Sequence, residues 1–521
     1  MSDHNSKSKL MFINLSPTIK KILLLGYIFG VFGISLYALI FFLMNKVYLI
    51  GSDTFAYISI ADSILQYGEA MDITSVTSTP LKTPQNGIVI FHILFSLLGI
   101  NGGTRLVILV LLNYVFYLSA VYPLYMSGRR VGLTNNLAMV VLIGIYLGSW
   151  HIYRLGLLPN NDGIFYSLSI WLTYLLVVIL QDSQKGKILY GTLKKNYLIA
   201  ILLILGPFLI LFRLHVILII GSAFITSILV REYRFTALIG GFTLIMLFII
   251  VIVYSFVDIS SIISTSRSAF STIISPIMFN PKNIYKLWEQ TMSPLLIGQK
   301  TFGALVLIFT VFPIAILVGI VSGVRKRESG IIFISISCAL ALWSSVFSPT
   351  MHRWIIYIFP FLYLIVLVQP TIRSVGYLFG FVGIMSSLFA FRDFNRVPES
   401  HLWLHIYENN ISLPMDDPLL VTRRARHTYF FLNTRAYNVS DDSDGIQDGK
   451  ITLPDELKWD LINDRGSIFV LGDRIYINSV HSQIRDMAIE NGFEIQTESL
   501  TPDLNEFEGW ALVELTINKD Y

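Results

Sequence analysis

Gly51-Ser-Asp-Thr-Phe-Ala-Tyr57 lies just beyond an apolar run over residues 22–44. At 1.5 Å per residue that run is long enough to cross a bilayer. Lys7, Lys9, Lys20 and Lys21 precede it. The excess of positive charge predicts a cytoplasmic N-terminus, so Asp53 emerges on the far side of the membrane. The run is longer than the core of a signal peptide and lacks a small-residue cleavage site, and it is expected to be retained.

The rest of the chain extends this reading. Of 521 residues, 54% are hydrophobic and 14% charged, and the mean hydropathy is +0.65. Soluble domains carry about 25% charged residues, so the composition is that of a multi-span membrane protein. The net charge of +4 says little in itself; its distribution between loops carries the information. The one cysteine, Cys338, lies within an apolar run, which excludes a disulfide within the chain and a cysteine-based zinc site. A buried, inert thiol is expected there.

Apolar runs fall near 22–44, 104–126, 135–150, 163–181, 197–212, 214–230, 235–257, 301–323, 330–348, 354–369 and 374–391. Treating all eleven as spans places Arg129-Arg130, Lys185, Lys187, Lys194, Lys195, Arg231, Arg234, Arg325-Lys326-Arg327 and Arg373 on the N-terminal side, as the positive-inside rule requires. Residues 86–100 are apolar but only fifteen long. If they spanned, every later loop would invert, so they read as an interfacial or re-entrant helix. Residues 51–103 then lie wholly on the outer face.

From about residue 392 the composition turns polar. Short β-type runs occur at 418–422, 467–471 and 510–517, with an amphipathic helix predicted over Ser479–Asn491. The predicted architecture is an α-helical polytopic membrane domain over 1–391, with about eleven transmembrane helices plus juxtamembrane helices. An extracytoplasmic α/β domain follows over 392–521.

On this topology the outer face collects two acids, Asp53 and Asp162, with Lys82, Arg154, Arg213, His215, His352 and Arg353. Ionisable groups at membrane depth are costly and mark functional sites. This mixture suits one task, in which Arg or His binds a phosphate and a carboxylate removes a proton from a hydroxyl. Each residue also has a plainer reading. Asp53 and Asp162 could cap the helices that begin beside them. Arg353, Arg154 and Lys82 could snorkel to headgroups, and His352 could be merely solvated. Arg213 and His215 could form only a polar turn, and Arg105 reads as a lipid anchor. Asp441-Asp-Ser-Asp-Gly445 fails the spacing of a calcium loop, because Ile451 stands where its closing Glu belongs. Asn410-Ile-Ser and Asn438-Val-Ser fit the glycosylation triplet, a pattern frequent by chance. No Gly-rich nucleotide signature is present.

In their order these residues resemble the GT-C glycosyltransferases, in particular the polyprenyl-phosphate-sugar users that include protein O-mannosyltransferases and the aminoarabinose transferase of lipid A. Asp53-Thr-Phe-Ala-Tyr57, followed by Ile60-Ala61 and Leu65, is similar to the family's first-loop acid and juxtamembrane helix. Thr83-Pro-Gln-Asn-Gly87, running through Phe91 to Gly99, resembles its proline-led interfacial helix. Pro159-Asn-Asn-Asp162 matches a second acidic loop, and His352-Arg-Trp354 ahead of Pro360 a late His/Arg motif. Val421–Ala436 resembles part of the outer domain of bacterial members. Two departures stand out: no second acid follows Asp53 at once, and two asparagines precede Asp162 where an apolar approach is expected.

The resemblance implies an inverting transferase of a hexosyl or pentosyl group at the outer face of the plasma membrane. Asp53 would be the general base, with Asp162 a second catalytic acid residue. Arg353, His352, Arg213, His215, Arg154 and Lys82 would bind substrate. The implied partners are a polyprenyl-phosphate-linked sugar, a glycan, lipid or protein acceptor, and the bilayer, with no nucleic acid. No cofactor or metal ligand is assigned, and a divalent cation is left open. Two alternatives remain at this point, a lipid-linked oligosaccharide polymerase or ligase and a transporter or flippase. Transporters place polar groups at mid-membrane within internal repeats, a pattern this sequence lacks.

Overall fold

The computed structural model describes residues 17–49, 52–73, 79–80, 87–100, 102–148, 157–184, 193–213, 215–255, 310–347, 357–378, 380, 398–409, 413, 419–422, 424–438, 453, 457, 467–490, 494–499 and 510–518. In chain order the main elements are α1 Pro17–Met44, α2 Ser52–Tyr67, β1 Met71–Asp72, β2 Thr79–Pro80, α3 Gly87–Leu97, α4 Gly102–Ser119, α5 Val121–Arg130, α6 Asn136–Gly148, α7 Asn161–Gln184, α8 Leu193–Phe212, α9 Val216–Leu229 and α10 Tyr233–Ser255. They continue as α11 Phe312–Lys326, α12 Ser329–Phe347, α13 Phe359–Val368, α14 Pro398–Glu408, β3 Leu419–Thr422, α15 Ala425–Leu432, β4 Tyr437–Asn438, β5 Ser467–Asp473, α16 Arg474–Glu490, β6 Glu494–Ser499 and β7 Trp510–Asn518.

The predicted apolar runs from 22–44 through 354–369 are mainly helical where they are described; the run at 374–391 lies mostly outside the described residues. Among the described residues, three helical stretches are long and apolar enough to cross a membrane: Leu24–Met44 within α1, Gly102–Arg130 across α4 and α5, and Asn161–Gln184, which is α7. Their burial separates centre from edge. Within its apolar window α7 is 83% buried, whereas α1 is 28% buried and turns Phe29 and Met44 outward. An apolar outer surface has no reason to fold inward when its solvent is lipid. Helix α4 is pinned to α6 by a reciprocal pair: Tyr117 Oη donates to the Tyr146 carbonyl at 2.7 Å and Tyr146 Oη to the Tyr117 carbonyl at 2.9 Å. Each buried hydroxyl thus satisfies a partner in the other helix. Cys338 is buried, as expected.

Helix α3 is the apolar segment set aside as too short to span. Its 11 residues extend about 16 Å, half the thickness of the hydrocarbon core. It ends before Gly99, whose φ of +72° only glycine adopts at little cost. At its start, a Cβ on Gly87 would lie 2.6 Å from the Phe212 ring, so glycine is what lets α3 sit against the end of α8.

The C-terminal unit is a five-stranded sheet of order β4-β3-β5-β7-β6. Strand β3 is parallel to β4 and β5, while β7 is antiparallel to β5 and β6. Strand β3 is buried at all four positions, as a strand covered on both faces must be. Alternate residues of β5 serve opposite layers. Ile468 and Val470 pack with Tyr476, Val480 and Ile484 of α16. Phe469 and Leu471 pack with Leu402 and Trp403 of α14 and Ala425 and Leu432 of α15. Helix α16 starts at Arg474, five residues ahead of expectation, because Asp473 Oδ1 accepts the Tyr476 N–H at 2.9 Å and caps it.

Candidate functional site

Helix α2 divides its faces between two neighbours, at the spacing of residues that share a helical stripe. Tyr57, Ile60, Ala61 and Ile64 pack with Val89 and Ile93 of α3. Phe55, Ser59 and Asp62 form another stripe, directed to the β1 hairpin and the C-terminal unit. Phe55 is fully buried, with ring centroids 4.6 Å from Phe430, 5.0 Å from His427 and 5.5 Å from Phe431. Trp403 stacks on His427 at 5.0 Å. Helix α15 is thereby held between the sheet and α2, and the C-terminal unit bears directly on the helix that carries Asp53.

Asp53 occupies the first turn of α2, where the helix dipole favours a carboxylate. Its Oδ1 lies 3.3 Å from Arg426 Nη1. The same guanidinium places Nε 3.3 Å from Asp72 Oδ2, and Asp72 Oδ1 accepts the Ser59 hydroxyl at 2.9 Å. The Asp53 side chain is 49% exposed and that of Asp72 17%. Asp53 is therefore the solvent-facing end of the Ser59–Asp72–Arg426–Asp53 chain.

Asp162 is held differently. Arg213, just past the end of α8, directs Nη2 to Asp162 Oδ1 at 2.6 Å and Nε to the same oxygen at 2.9 Å. The pair is buried, with the carboxylate 3% and the guanidinium 13% exposed. Asp162 does not serve as its own helix cap, since Asn160 Oδ1 accepts the Asp162 N–H at 2.9 Å. Asn113 Nδ2 donates to the Leu158 carbonyl at 2.7 Å and fixes the approach to this turn.

Asn161 ties the helices together. Its Oδ1 accepts the Ile88 N–H at 3.0 Å, one of the orphan donors at the start of α3, and its Nδ2 donates to Tyr57 Oη at 3.0 Å. Tyr57 stands one turn after Asp53 on α2. Burial, opposed by the charge of Arg213, sets the Tyr57 phenol at about 12, with Asp53 and Asp162 adding to the rise and Arg426 opposing it. Both acid–arginine pairs thus act on one hydroxyl, and the two predicted acids share a neighbourhood. Because Tyr57 Oη accepts from Asn161, its own proton remains to be donated.

Proton loss from the Tyr57 phenol is linked to unfolding. A folded-state pKa near 12 against an ordinary 10.0 gives stability that is fully present below pH 10 and is lost as pH rises through 12. Tyr57→Phe is expected to lose about 1–3 kcal/mol at neutral pH, because the Asn161 amide loses its acceptor. It is also expected to show a shallower fall in stability between pH 10 and 12 than the parent. Chemical denaturation across that range checks both, and identical alkaline slopes would contradict the assignment.

Farther along α2, Asp62 accepts from Tyr429 Oη at 3.2 Å and stands 3.8 Å from Arg105 Nη1. Burial raises the Asp62 carboxyl above its usual range despite both partners. Arg105 is 5% exposed, which corrects the lipid-anchor reading: its guanidinium turns inward to Asp62 rather than out to headgroups.

Of the predicted site residues, Asp53, Asp162, Arg213 and His215 are described, and the first three are brought together. His215 is buried at the start of α9, two residues beyond Arg213. Lys82, Arg154, His352 and Arg353 lie outside the described residues. Sequence reasoning missed Arg426, Asp72, Tyr57 and Asn161 as members of the site. The asparagine pair before Asp162 was the one available signal, since two amides at a helix start have backbone groups to satisfy. Among the described residues no three His, Cys, Asp or Glu side chains converge as a metal site requires, and Asp53, Asp72 and Asp162 each face a guanidinium. These residues do not fit a divalent cation.

No family model matches the chain, and no curated protein matches it. Among solved structures, it is similar to the archaeal oligosaccharyltransferase AglB from Archaeoglobus fulgidus in complex with an inhibitory peptide and a dolichol-phosphate. The TM-score is 0.52 at 12% identity, over 90% of this chain and 71% of that one. ArnT from Cupriavidus metallidurans in the apo state gives a TM-score of 0.48 at 12% identity, over 92% and 97%. At such identity the likeness concerns the fold.

Proposed function

We propose that this chain, which adopts the GT-C glycosyltransferase fold, transfers a sugar from a polyprenyl-phosphate carrier to an acceptor hydroxyl at the extracytoplasmic face of the plasma membrane. The observation that carries the reading is the contrast between two acids acting on one partly buried tyrosine. Asp162 is closed off against Arg213, while Asp53 keeps half its surface open. A general base must reach the proton that it takes, and of this pair Asp53 is the one that meets the condition. Lipid-phosphate binding by AglB supports a donor of this chemical class.

In the proposed step Asp53 takes the acceptor O–H proton. The acceptor oxygen forms its bond to the anomeric carbon on the face opposite the phosphate, the glycosidic C–O bond breaks, and the lipid phosphate leaves with the electron pair. The anomeric centre inverts. Arg353, His352, Arg154 and Lys82 are assigned to the phosphate, whose charge grows as the bond breaks. Asp162 holds Arg213 in place beside Tyr57. We further propose about eleven spans, an N-terminus in the cytoplasm, a membrane domain over 1–391 and an outer α/β domain over 392–521.

Reconstitution in liposomes with radiolabelled donors tests it. Transfer from polyprenyl-monophosphate sugars is the expected result. Transfer from diphosphate-linked donors alone would make the protein a polymerase or ligase, and movement of the lipid across the bilayer without transfer would make it a flippase.

A further inference from the structure

We propose that Arg426 of the C-terminal unit is a positioning residue for Asp53, anchored by Asp72 and Ser59, so that the soluble part of the chain completes the site in the membrane part. The inference rests on the reading of Asp53 as the base. A base must present an oxygen to the acceptor hydroxyl in one orientation. Arg426 restrains Asp53 from the C-terminal unit. Its Nη1 engages Asp53 Oδ1 at 3.3 Å, and the rigid fork of the guanidinium fixes where that oxygen lies relative to Asp72, which Nε meets at 3.3 Å.

The chain has a fixed end and a working end. Asp72 is the less exposed carboxylate, at 17% against 49%, and its other oxygen takes the Ser59 hydroxyl. Ser59 lies on α2 itself, so the restraint returns to the helix that carries the base. Two further contacts seat α15 along α2: Tyr429 Oη on Asp62 at 3.2 Å, and Arg435 Nη2 on Tyr67 Oη at 3.1 Å. Two carboxylates share one guanidinium, which leaves the cluster one negative charge in excess. Without Arg426 the two carboxylates would lose the positive charge they share.

The test uses the full chain in liposomes, with Arg426→Ala, Arg426→Gln, Arg426→Lys and Asp53→Asn measured for kcat, KM and thermal unfolding. Arg426→Ala and Arg426→Gln are expected to lower kcat about a hundredfold, the scale of a 1 Å misplacement. KM for donor and acceptor should stay within a few-fold, and the unfolding temperature should stay close to the parent's. Arg426→Lys keeps the charge without the two-ended fork and should fall between, and millimolar guanidinium should restore part of the rate of Arg426→Ala. Wild-type kcat in Arg426→Ala, or a loss that tracks unfolding and ignores guanidinium, would overturn the inference. Asp53→Asn separates the two levels. If it is inactive while Arg426→Ala is normal, only this inference fails; if it is active, the reading of Asp53 fails first.

Discussion

Asp53→Asn is expected to reduce transfer about a thousandfold, within the range that general-base catalysis supplies, equivalent to about 4 kcal/mol of barrier. The amide is nearly isosteric and still offers Arg426 an oxygen, so the dock between α2 and α15 survives. Phe55 against Phe430, Phe431 and His427 holds that dock independently. What the amide cannot do is accept a proton at neutral pH. Folding, read by size-exclusion profile and unfolding temperature, should match the parent while the rate collapses. Transfer at a normal rate by this variant would remove the base from the mechanism.

Breaking the Asp162–Arg213 pair should have the largest effect on stability. With the carboxylate 3% and the guanidinium 13% exposed, either single replacement leaves a buried charge without its counter-charge, a defect worth about 3–5 kcal/mol. Asp162→Ala and Arg213→Ala are each expected to melt well below the parent. The double replacement Asp162→Leu with Arg213→Met removes both charges and both desolvation costs, and most of the stability should return. Transfer should not return with it, staying at least about tenfold down, because the electrostatic surroundings of Tyr57 would be gone. Full recovery of transfer in the double variant would reduce the pair to scaffolding.

The helices were legible because an apolar run of twenty residues has few alternatives in a membrane protein. The predicted boundaries of α7 and α9, and the C-terminal end of α1, lie within a few residues of those observed, while α1 begins five residues earlier than its apolar run. Asp53 and Asp162 were legible as candidates by their positions beside apolar runs. Their partners were not. Arg426 lies 373 residues from Asp53, in a stretch whose basic residues give no hint of which one meets α2. Arg105 misled for the same reason: at a helix start a buried arginine and a lipid anchor share one sequence pattern. Strand β6, Glu494–Ser499, is polar and mostly exposed, and only its pairing with β7 reveals it.

What the residues determined alone is local: which segments are helical and apolar, and which turns between them carry acids and bases. Run length and periodicity act over a few turns of chain, so they can be read from a few turns of sequence. The tertiary structure decided which acid is sealed and which is open. Coulomb energy and desolvation depend on distances between groups that the chain order does not encode, and packing brought α15 onto α2 and Arg213 onto Asp162.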